Sequence, residues 1–119
     1  MVTNTIDRIK AKLSESRAIV LYFFNDNCSP CLALRPKVIH LVEKEFPLLA
    51  LEFINASENQ EITAEFGVFS APAILIFFEG KEYIRFGKYV SIEELKEKIN
   101  RYYKVLFNEN LTSQNNSGD

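Results

Sequence analysis

Two stretches of the chain are apolar at consecutive positions, Ala18–Phe24 and Ala73–Phe78. A β-strand that is buried on both faces of a sheet gives this pattern, so both are predicted as central strands. A third, mostly apolar run, Leu48–Ile54, is predicted as another strand. The segment Glu82–Phe86 follows a tight turn at Glu79-Gly80-Lys81, so it should form a hairpin with the strand before it.

Between these strands the apolar residues recur at spacings of three and four, which is typical of amphipathic helices. The pattern predicts helices over Thr3–Leu13, Leu32–Phe46 and Ser57–Phe66, and a fourth from Ser91 onward. Pro36 lies inside the second helix, where its missing backbone N–H should bend the axis. The predicted order is therefore helix, strand, helix, strand, helix, hairpin and helix.

The fourth helix has the clearest start. Ser91 and Glu94 have the spacing of a capping box, and Val90 and Leu95 bracket it as an apolar pair. Ser57 is interpreted as the cap of the third helix, because acidic residues follow it in the first turn. The buried side of the fourth helix is predicted to carry Leu95, Ile99, Tyr102 or Tyr103, and Leu106.

The length and composition predict one domain. A chain of 119 residues with 47% hydrophobic residues can bury a packed core. The residues from Asn108 to Asp119 are small and polar, so we expect a domain over residues 1–107 and a disordered tail over residues 108–119.

The charge pattern excludes several classes of partner. The 14 Lys and Arg residues are scattered among 16 acidic residues and the net charge is -2, which argues against a nucleic-acid or anionic-membrane surface. No apolar run has the length of a membrane span, and the first ten residues lack the layout of a secretory signal. We therefore expect a cytoplasmic protein without nucleic-acid or membrane partners.

Both cysteines lie where the first central strand gives way to a helix, in the segment Asn-Cys-Ser-Pro-Cys. The unpaired N–H groups and the dipole of the helix start favour a thiolate, so Cys28 should have a lowered pKa. Pro30 suits the first helical turn, where its missing N–H costs nothing. The N–H of Cys31 should then face the sulfur of Cys28.

Cysteines at this spacing can close a disulfide within one helical turn. Cys28, nearer the helix start, is the predicted nucleophile that forms a mixed disulfide with a substrate, and Cys31 is the thiol that resolves it. A pair of cysteines is too few for a secreted fold held together by disulfides, whereas catalysis suits a reducing compartment. The sequence thus favours redox chemistry with no bound cofactor.

A structural zinc site is the main alternative use of the two cysteines, and inert thiols are another. A closed zinc site takes four ligands, and the chain adds only His40 to the cysteines unless a carboxylate completes the site. In a regular helix His40 lies about 900° of rotation and roughly 13 Å of rise beyond Cys31, on the opposite side. We expect no metal.

The layout resembles the thioredoxin family. The residues that carry the resemblance are the pair Cys28 and Cys31 after a strand, Pro36 in the next helix, Ala71-Pro72 before a later strand, Gly67 ahead of that proline and Gly87 after the hairpin. They occur in the family's order over nearly all of the predicted domain. The resemblance implies an α/β structure, the thioredoxin fold, with a central mixed β-sheet flanked by helices on both faces.

The resemblance also implies an activity. It implies a protein-disulfide oxidoreductase that works in electron transport and cell redox homeostasis, with Cys28 and Cys31 as catalytic residues. Pro72 would follow a cis peptide bond, and the backbone of Ala71 would pair with the client. The implied partners are protein disulfide clients and a thioredoxin-reductase-type electron donor, and we expect a monomer. The expected substrate-binding residues are Asn27, Ser29, Pro30, Ala71 and Pro72.

The chain departs from the family at several positions near the cysteines. Asn27 stands where the family has a tryptophan, Ser29 where it has a glycine, and Phe24 takes the place of a second tryptophan. The family's buried aspartate, which moves protons for the second cysteine, aligns with Tyr22, and its lysine partner aligns with Phe53.

These departures leave two questions open. Deprotonation of Cys31 would fall to water, to the hydroxyl of Tyr22 or to Asp26. Loss of the charged pair also leaves an alternative function, a binding or chaperone-type module that keeps the fold and turns over weakly.

Overall fold

The computed structural model describes residues 6–107, and all the predicted strands and helices are present in that range. The elements are α1 Ile6–Glu15, β1 Ala18–Phe24, α2 Ser29–Glu45, β2 Ala50–Asn55, α3 Gln60–Glu65, β3 Ala73–Phe78, β4 Lys81–Phe86 and α4 Ile92–Phe107. The predicted order is confirmed. The predicted helix start at Thr3 and the predicted tail, residues 108–119, lie outside the described residues.

The strands of the described range form one mixed sheet in the order β2-β1-β3-β4. Strand β1 runs parallel to β2 and antiparallel to β3, and β3 and β4 form an antiparallel hairpin. The two strands with continuous apolar runs, β1 and β3, therefore occupy the centre, as predicted. Their bounds agree with the runs in the sequence.

Neighbouring residues of β1 are buried on opposite faces of the sheet. Val20 and Tyr22 belong to the core that α2 and α4 cover, whereas Leu21 and Phe23 belong to the core that α1 and α3 cover. None of the four side chains is more than 1% exposed. Because both faces are covered, the strand shows no polar alternation. The predicted α/β architecture, a central mixed sheet flanked by helices on both faces, is confirmed.

Strand β2 begins at Ala50, later than the predicted start at Leu48. The chain turns after α2, where the N–H of Leu49 donates to the carbonyl of Phe46. In this turn Leu48 is exposed, and its N–H donates to the hydroxyl of Tyr103 at 3.1 Å. The apolar character of Leu48 therefore did not indicate a strand.

Two predictions about the helices were wrong. Leu32, the first residue of the predicted second helix, was expected on its apolar, buried face, but it is exposed. The first turn of α2 directs Cys31 into the core, and the next residue points about 100° away from it. Helix α3 begins at Gln60 rather than Ser57. Ser57 lies in a turn, where its hydroxyl donates to the side chain of Asn25 instead of capping the helix.

The start of α4 agrees with its sequence signal. The N–H of Glu94 donates to the Ser91 hydroxyl at 3.0 Å, and the N–H of Ser91 donates to the Glu94 carboxylate at 3.3 Å. Leu95 and Ile99 are fully buried on the predicted side. Of the helices within residues 6–107, none is long and apolar enough to cross a membrane.

Candidate active site

Cys28 and Cys31 form a disulfide at the start of α2. Cys28 is the N-cap residue with extended backbone, and Cys31 lies in the first turn, with the two Cα atoms 5.2 Å apart. Cys28 is 8% exposed and Cys31 is 2% exposed. Cys28, the cysteine nearer the helix start, is therefore the more exposed residue of the two.

The helix start supplies a hydrogen-bond donor to the first sulfur. The N–H of Cys31 donates to Sγ of Cys28 at 3.1 Å, as the sequence predicted. Pro30 occupies the first turn, where its missing N–H leaves no helical bond unmade. A thiolate at Cys28 would keep this donor and the positive end of the α2 dipole, and both favour a lowered pKa in the reduced protein.

The segment before β3 reaches the same end of the sheet as the cysteines. The peptide bond between Ala71 and Pro72 is cis, as the resemblance implied. In the antiparallel register Ala73 is the partner of Phe23, so Pro72 lies beside the end of β1, where the chain leaves for the cysteines. Pro72 is buried, while Ala71 is partly exposed.

Exposed residues surround the disulfide. Asn27, Ser29 and Pro30, which the resemblance assigned to substrate binding, are all exposed. Two exposed apolar residues were not predicted from the sequence: Leu32, which follows Cys31 in the chain, is 69% exposed, and Phe69, two residues before Ala71, is 91% exposed. The exposure of Phe69 could have been predicted, because this aromatic residue lies in the predicted loop between Gly67, which ends a helix, and the strand that begins at Ala73.

Tyr22 lies in the core beneath the cysteine segment. Its hydroxyl donates to the backbone carbonyl of Cys31 at 2.8 Å. Burial raises the pKa of Tyr22 to about 12, although the positive charge of Arg35 acts in the opposite direction. The hydroxyl therefore stays protonated near neutral pH and acts as a donor to the helix, not as an acceptor for the Cys31 proton.

Tyr22 and Phe53 are register partners on β1 and β2. Their rings meet edge to face with centroids 5.4 Å apart. The guanidinium of Arg35 on α2 lies 4.1 Å from the Phe53 ring centroid and 5.3 Å from that of Phe24. An aromatic pair with a cation beside it thus occupies the two positions that the resemblance matched to the family's charged pair. Arg35 was not singled out in the sequence.

Asp26 is tied to the end of β2. The side-chain amide of Asn55 donates to the Asp26 carboxylate at 2.7 Å, and the side-chain oxygen of Asn55 accepts from the N–H of Ser57 at 3.0 Å. Asn55 thereby joins the loop before Cys28 to the turn before α3. The sequence showed Asn55 only as the residue that ends a strand.

Within the described range, no group of three or more His, Cys, Asp and Glu side chains is arranged to hold a metal ion. His40 is exposed on α2. The chemistry that the described site offers is that of the two sulfurs and the groups around them.

Comparisons with known proteins agree with this geometry. A protein-family model described as Thioredoxin matches residues 1–101. The thioredoxin-like protein YdfQ of Bacillus subtilis (strain 168) is 33% identical over 85 residues, which are 71% of this chain and 75% of that protein. The thioredoxin of Listeria monocytogenes is 28% identical over 102 residues, which are 86% of this chain and 99% of that protein.

A solved structure has the same fold. A mutant thioredoxin from Halobacterium salinarum NRC-1 superposes with a TM-score of 0.76 at 25% identity, and the match covers 85% of this chain and 88% of that one. The family model also spans every described element except the last residues of α4.

Proposed function

The chain belongs to the thioredoxin family, and from this premise we propose that it is a protein-disulfide oxidoreductase that reduces disulfides in client proteins. The observation that carries the proposal is the position of the Cys28–Cys31 disulfide at the start of α2, with the Cys31 N–H directed at Sγ of Cys28. This arrangement favours the thiolate form of Cys28, the more exposed of the two cysteines.

The reaction begins from the reduced pair. The Cys28 thiolate attacks one sulfur of the client disulfide, so a bond forms between Cys28 and the client and the other client sulfur leaves as a thiolate. Cys31 loses its proton and attacks Sγ of Cys28, which breaks the mixed disulfide and releases the second client sulfur. Two electrons pass to the client, whose two thiolates take up protons, and the chain ends as the Cys28–Cys31 disulfide.

No carboxylate is buried among residues 6–107, so in the described site the proton of Cys31 has to leave without one. Tyr22 does not take it, because its pKa is about 12 and its hydroxyl already donates to the Cys31 carbonyl. The Asp26 carboxylate accepts a hydrogen bond from Asn55. We infer that water or the Asp26 carboxylate accepts the proton of Cys31 during the resolving step.

The client site in this proposal consists of the exposed residues around the disulfide. Asn27, Ser29 and Pro30 would border the attacked sulfur, and Ala71 would offer its backbone beside Pro72. Electrons would come from a thioredoxin-reductase-type donor. The proposal places the protein in the cytoplasm as a monomer.

Insulin reduction with dithiothreitol tests the proposal. The wild-type protein should accelerate the precipitation of reduced insulin chains, and the Cys28→Ser variant should fall to the rate of dithiothreitol alone. Equal rates for the two proteins would overturn the oxidoreductase proposal. The reduction potential of the pair then assigns the direction: about -270 mV is typical of a reductant, and about -120 to -180 mV of an oxidase or isomerase.

A second candidate function is a binding or chaperone-type module of low turnover. It is favoured by the aromatic pair of Tyr22 and Phe53 in place of the family's charged pair, together with the exposed ring of Phe69. This candidate would replace the first if the cysteines form no reversible disulfide in a glutathione series while unfolded clients still bind.

A further inference from the structure

Arg85 on β4 makes four hydrogen bonds to two different parts of the chain. Its Nε and one terminal nitrogen donate to the Glu82 carboxylate at 2.6 and 2.8 Å. The terminal nitrogens also donate to the backbone carbonyls of Phe66 at 2.7 Å and of Gly67 at 3.0 Å. The guanidinium therefore links the edge strand of the described sheet to the end of α3, and we call this group of contacts the Arg85 clamp.

A β-bulge makes the clamp possible. Residues three apart on a regular strand point to opposite faces of a sheet. In the hairpin, Ile76 pairs with Ile84 but the next residue, Phe77, pairs with Glu82, so Tyr83 is an extra residue on β4. The extra residue brings the Glu82 side chain to the same face as Arg85, where the carboxylate can orient the guanidinium.

The clamp holds the segment that leads to the proposed client site. Gly67 has a φ of 65°, which ends α3 and sends the chain toward Phe69 and the cis bond before Pro72. Val68 is buried, and its N–H donates to the carbonyl of Thr63 at 2.8 Å. These contacts fix the backbone up to Val68, the residue directly before the exposed ring of Phe69.

A cavity lies between this segment and the end of β4. Its lining includes Phe69, Ser70, Phe86 and Gly87, with Arg85 in its wall. The carboxylate of Glu82 neutralises the guanidinium, so the wall presents little net charge to an incoming group. An apolar side chain suits such a cavity better than a charged one.

We propose that Arg85 is a positioning residue for client binding, which holds the segment from Gly67 to Pro72 in place. In this position Phe69 and the backbone of Ala71 contact the client. The client is an extended chain with a bulky apolar residue near its disulfide. The inference rests on the proposed function. Arg85 does not act on the sulfurs, so it should matter for protein clients and not for a small disulfide that has no backbone to pair.

The test compares two substrates across matched variants. Arg85→Met keeps much of the apolar stem and removes all four hydrogen bonds. Arg17→Met is the control. Like Arg85, Arg17 donates to a carboxylate, that of Glu79, and to a backbone carbonyl, that of Leu106. These contacts lie at the opposite end of the hairpin from Arg85. The substrates are insulin, with dithiothreitol as reductant, and hydroxyethyl disulfide, followed by alkylation and mass spectrometry of the protein thiols.

For Arg85→Met we expect the KM for insulin to rise about tenfold, equivalent to ~1.4 kcal/mol of lost binding, with kcat nearly unchanged. The rate with hydroxyethyl disulfide and the reduction potential should stay at the wild-type values, as should all values for Arg17→Met. Arg85→Lys should fall between Arg85→Met and the wild type, because an ammonium cannot reproduce the planar fork.

An insulin KM for Arg85→Met equal to that of Arg17→Met would overturn the inference, and so would an equal loss with both substrates. If Arg85→Met fails to fold, Glu82→Gln provides the second variant, since it frees the guanidinium from its charged partner, and it should raise the insulin KM alone. A wild-type protein that reduces neither substrate would instead overturn the proposed function, and this inference with it.

Discussion

The hydroxyl of Tyr22 donates to the backbone carbonyl of Cys31 across 2.8 Å, and so ties the central strand to the first turn of α2. On its other side the Tyr22 ring meets Phe53 edge to face. A buried carboxylate without its cationic partner would be an unpaired ion in the core, so replacing both members of such a pair by aromatic rings is consistent with a stable fold. The hydrogen bond from Tyr22 fixes the start of α2, while the part of the chain that the structure describes has no buried carboxylate to carry a proton.

Removing the Tyr22 hydroxyl should weaken the fold and leave the chemistry intact. Tyr22→Phe keeps the ring against Phe53 but loses one buried hydrogen bond, so we expect the free energy of unfolding to fall by about 1 kcal/mol. Urea denaturation measures this change, with Tyr89→Phe as the exposed control. A shift in the pH profile of insulin reduction between pH 6 and 9, on the order of one unit, would contradict a purely structural role for the hydroxyl.

Alkaline pH should destabilise the wild type more than Tyr22→Phe. The pKa of Tyr22 is raised from about 10 to about 12 in the folded chain, so the folded state holds the phenol proton more tightly than the unfolded state does. Stability from this group is therefore complete below pH ~10 and is lost as the pH rises toward ~12. The difference in urea midpoint between the two proteins should shrink across that range. A constant difference would show that the phenol pKa is not raised.

The sequence predicted the central strands and the start of α4 because each depends on local signals. Residues 18–24 and 73–78 are apolar throughout, and Ser91 and Glu94 carry a capping box that both partners complete. The site itself was predictable to the level of the two cysteines and the cis proline. Recognising the cis proline depended on the family resemblance.

The remaining contacts of the site depend on tertiary packing. Arg35 can lie over the rings of Phe24 and Phe53 only when β2 is paired with β1. Asn55 can donate to Asp26 only when the loop that contains Asp26 is brought beside the end of β2. The Arg85 clamp depends on the β-bulge in β4, and no residue type in that strand predicts a bulge. No local pattern in the sequence encodes these contacts.

The cation above Phe53 should contribute to stability. Arg35→Met keeps much of the apolar stem but removes the charge 4.1 Å from the ring centroid, so we expect a loss of about 0.5–1 kcal/mol, the value of a partly exposed cation–π contact. Lys88→Met is the matched control, because its cation lies 5.2 Å from the ring of Tyr89, which is highly exposed. Thermal unfolding of both variants provides the comparison, and equal changes would mean that the Arg35 contact contributes nothing.

A second carboxylate beside Asp26 should strain the loop before Cys28. In Asn55→Asp the donor to Asp26 becomes a like charge, which we expect to cost about 0.2–1 kcal/mol at neutral pH, the range of exposed ion pairs with the sign reversed. The cost should shrink in high salt, because salt screens the repulsion between exposed charges. Asn55→Ala separates charge from hydrogen-bond loss, since its cost should not depend on salt. Matching salt profiles for the two variants would rule out repulsion as the cause.

Two serines that look alike in the sequence should differ in their effect on stability. Each precedes a predicted helix with acidic residues in the first turn, but only Ser91 accepts from the backbone of its helix, through the N–H of Glu94 at 3.0 Å. Ser91→Ala should therefore lower the free energy of unfolding by about 1 kcal/mol, the typical cost of a lost N-cap. Ser57→Ala removes only an exposed bond to Asn25 and should change it by less than about 0.5 kcal/mol. Urea denaturation of the two variants measures both changes. A larger loss of stability for Ser57→Ala than for Ser91→Ala would contradict the prediction, because it would mean that α3 depends on Ser57 more than α4 depends on its cap.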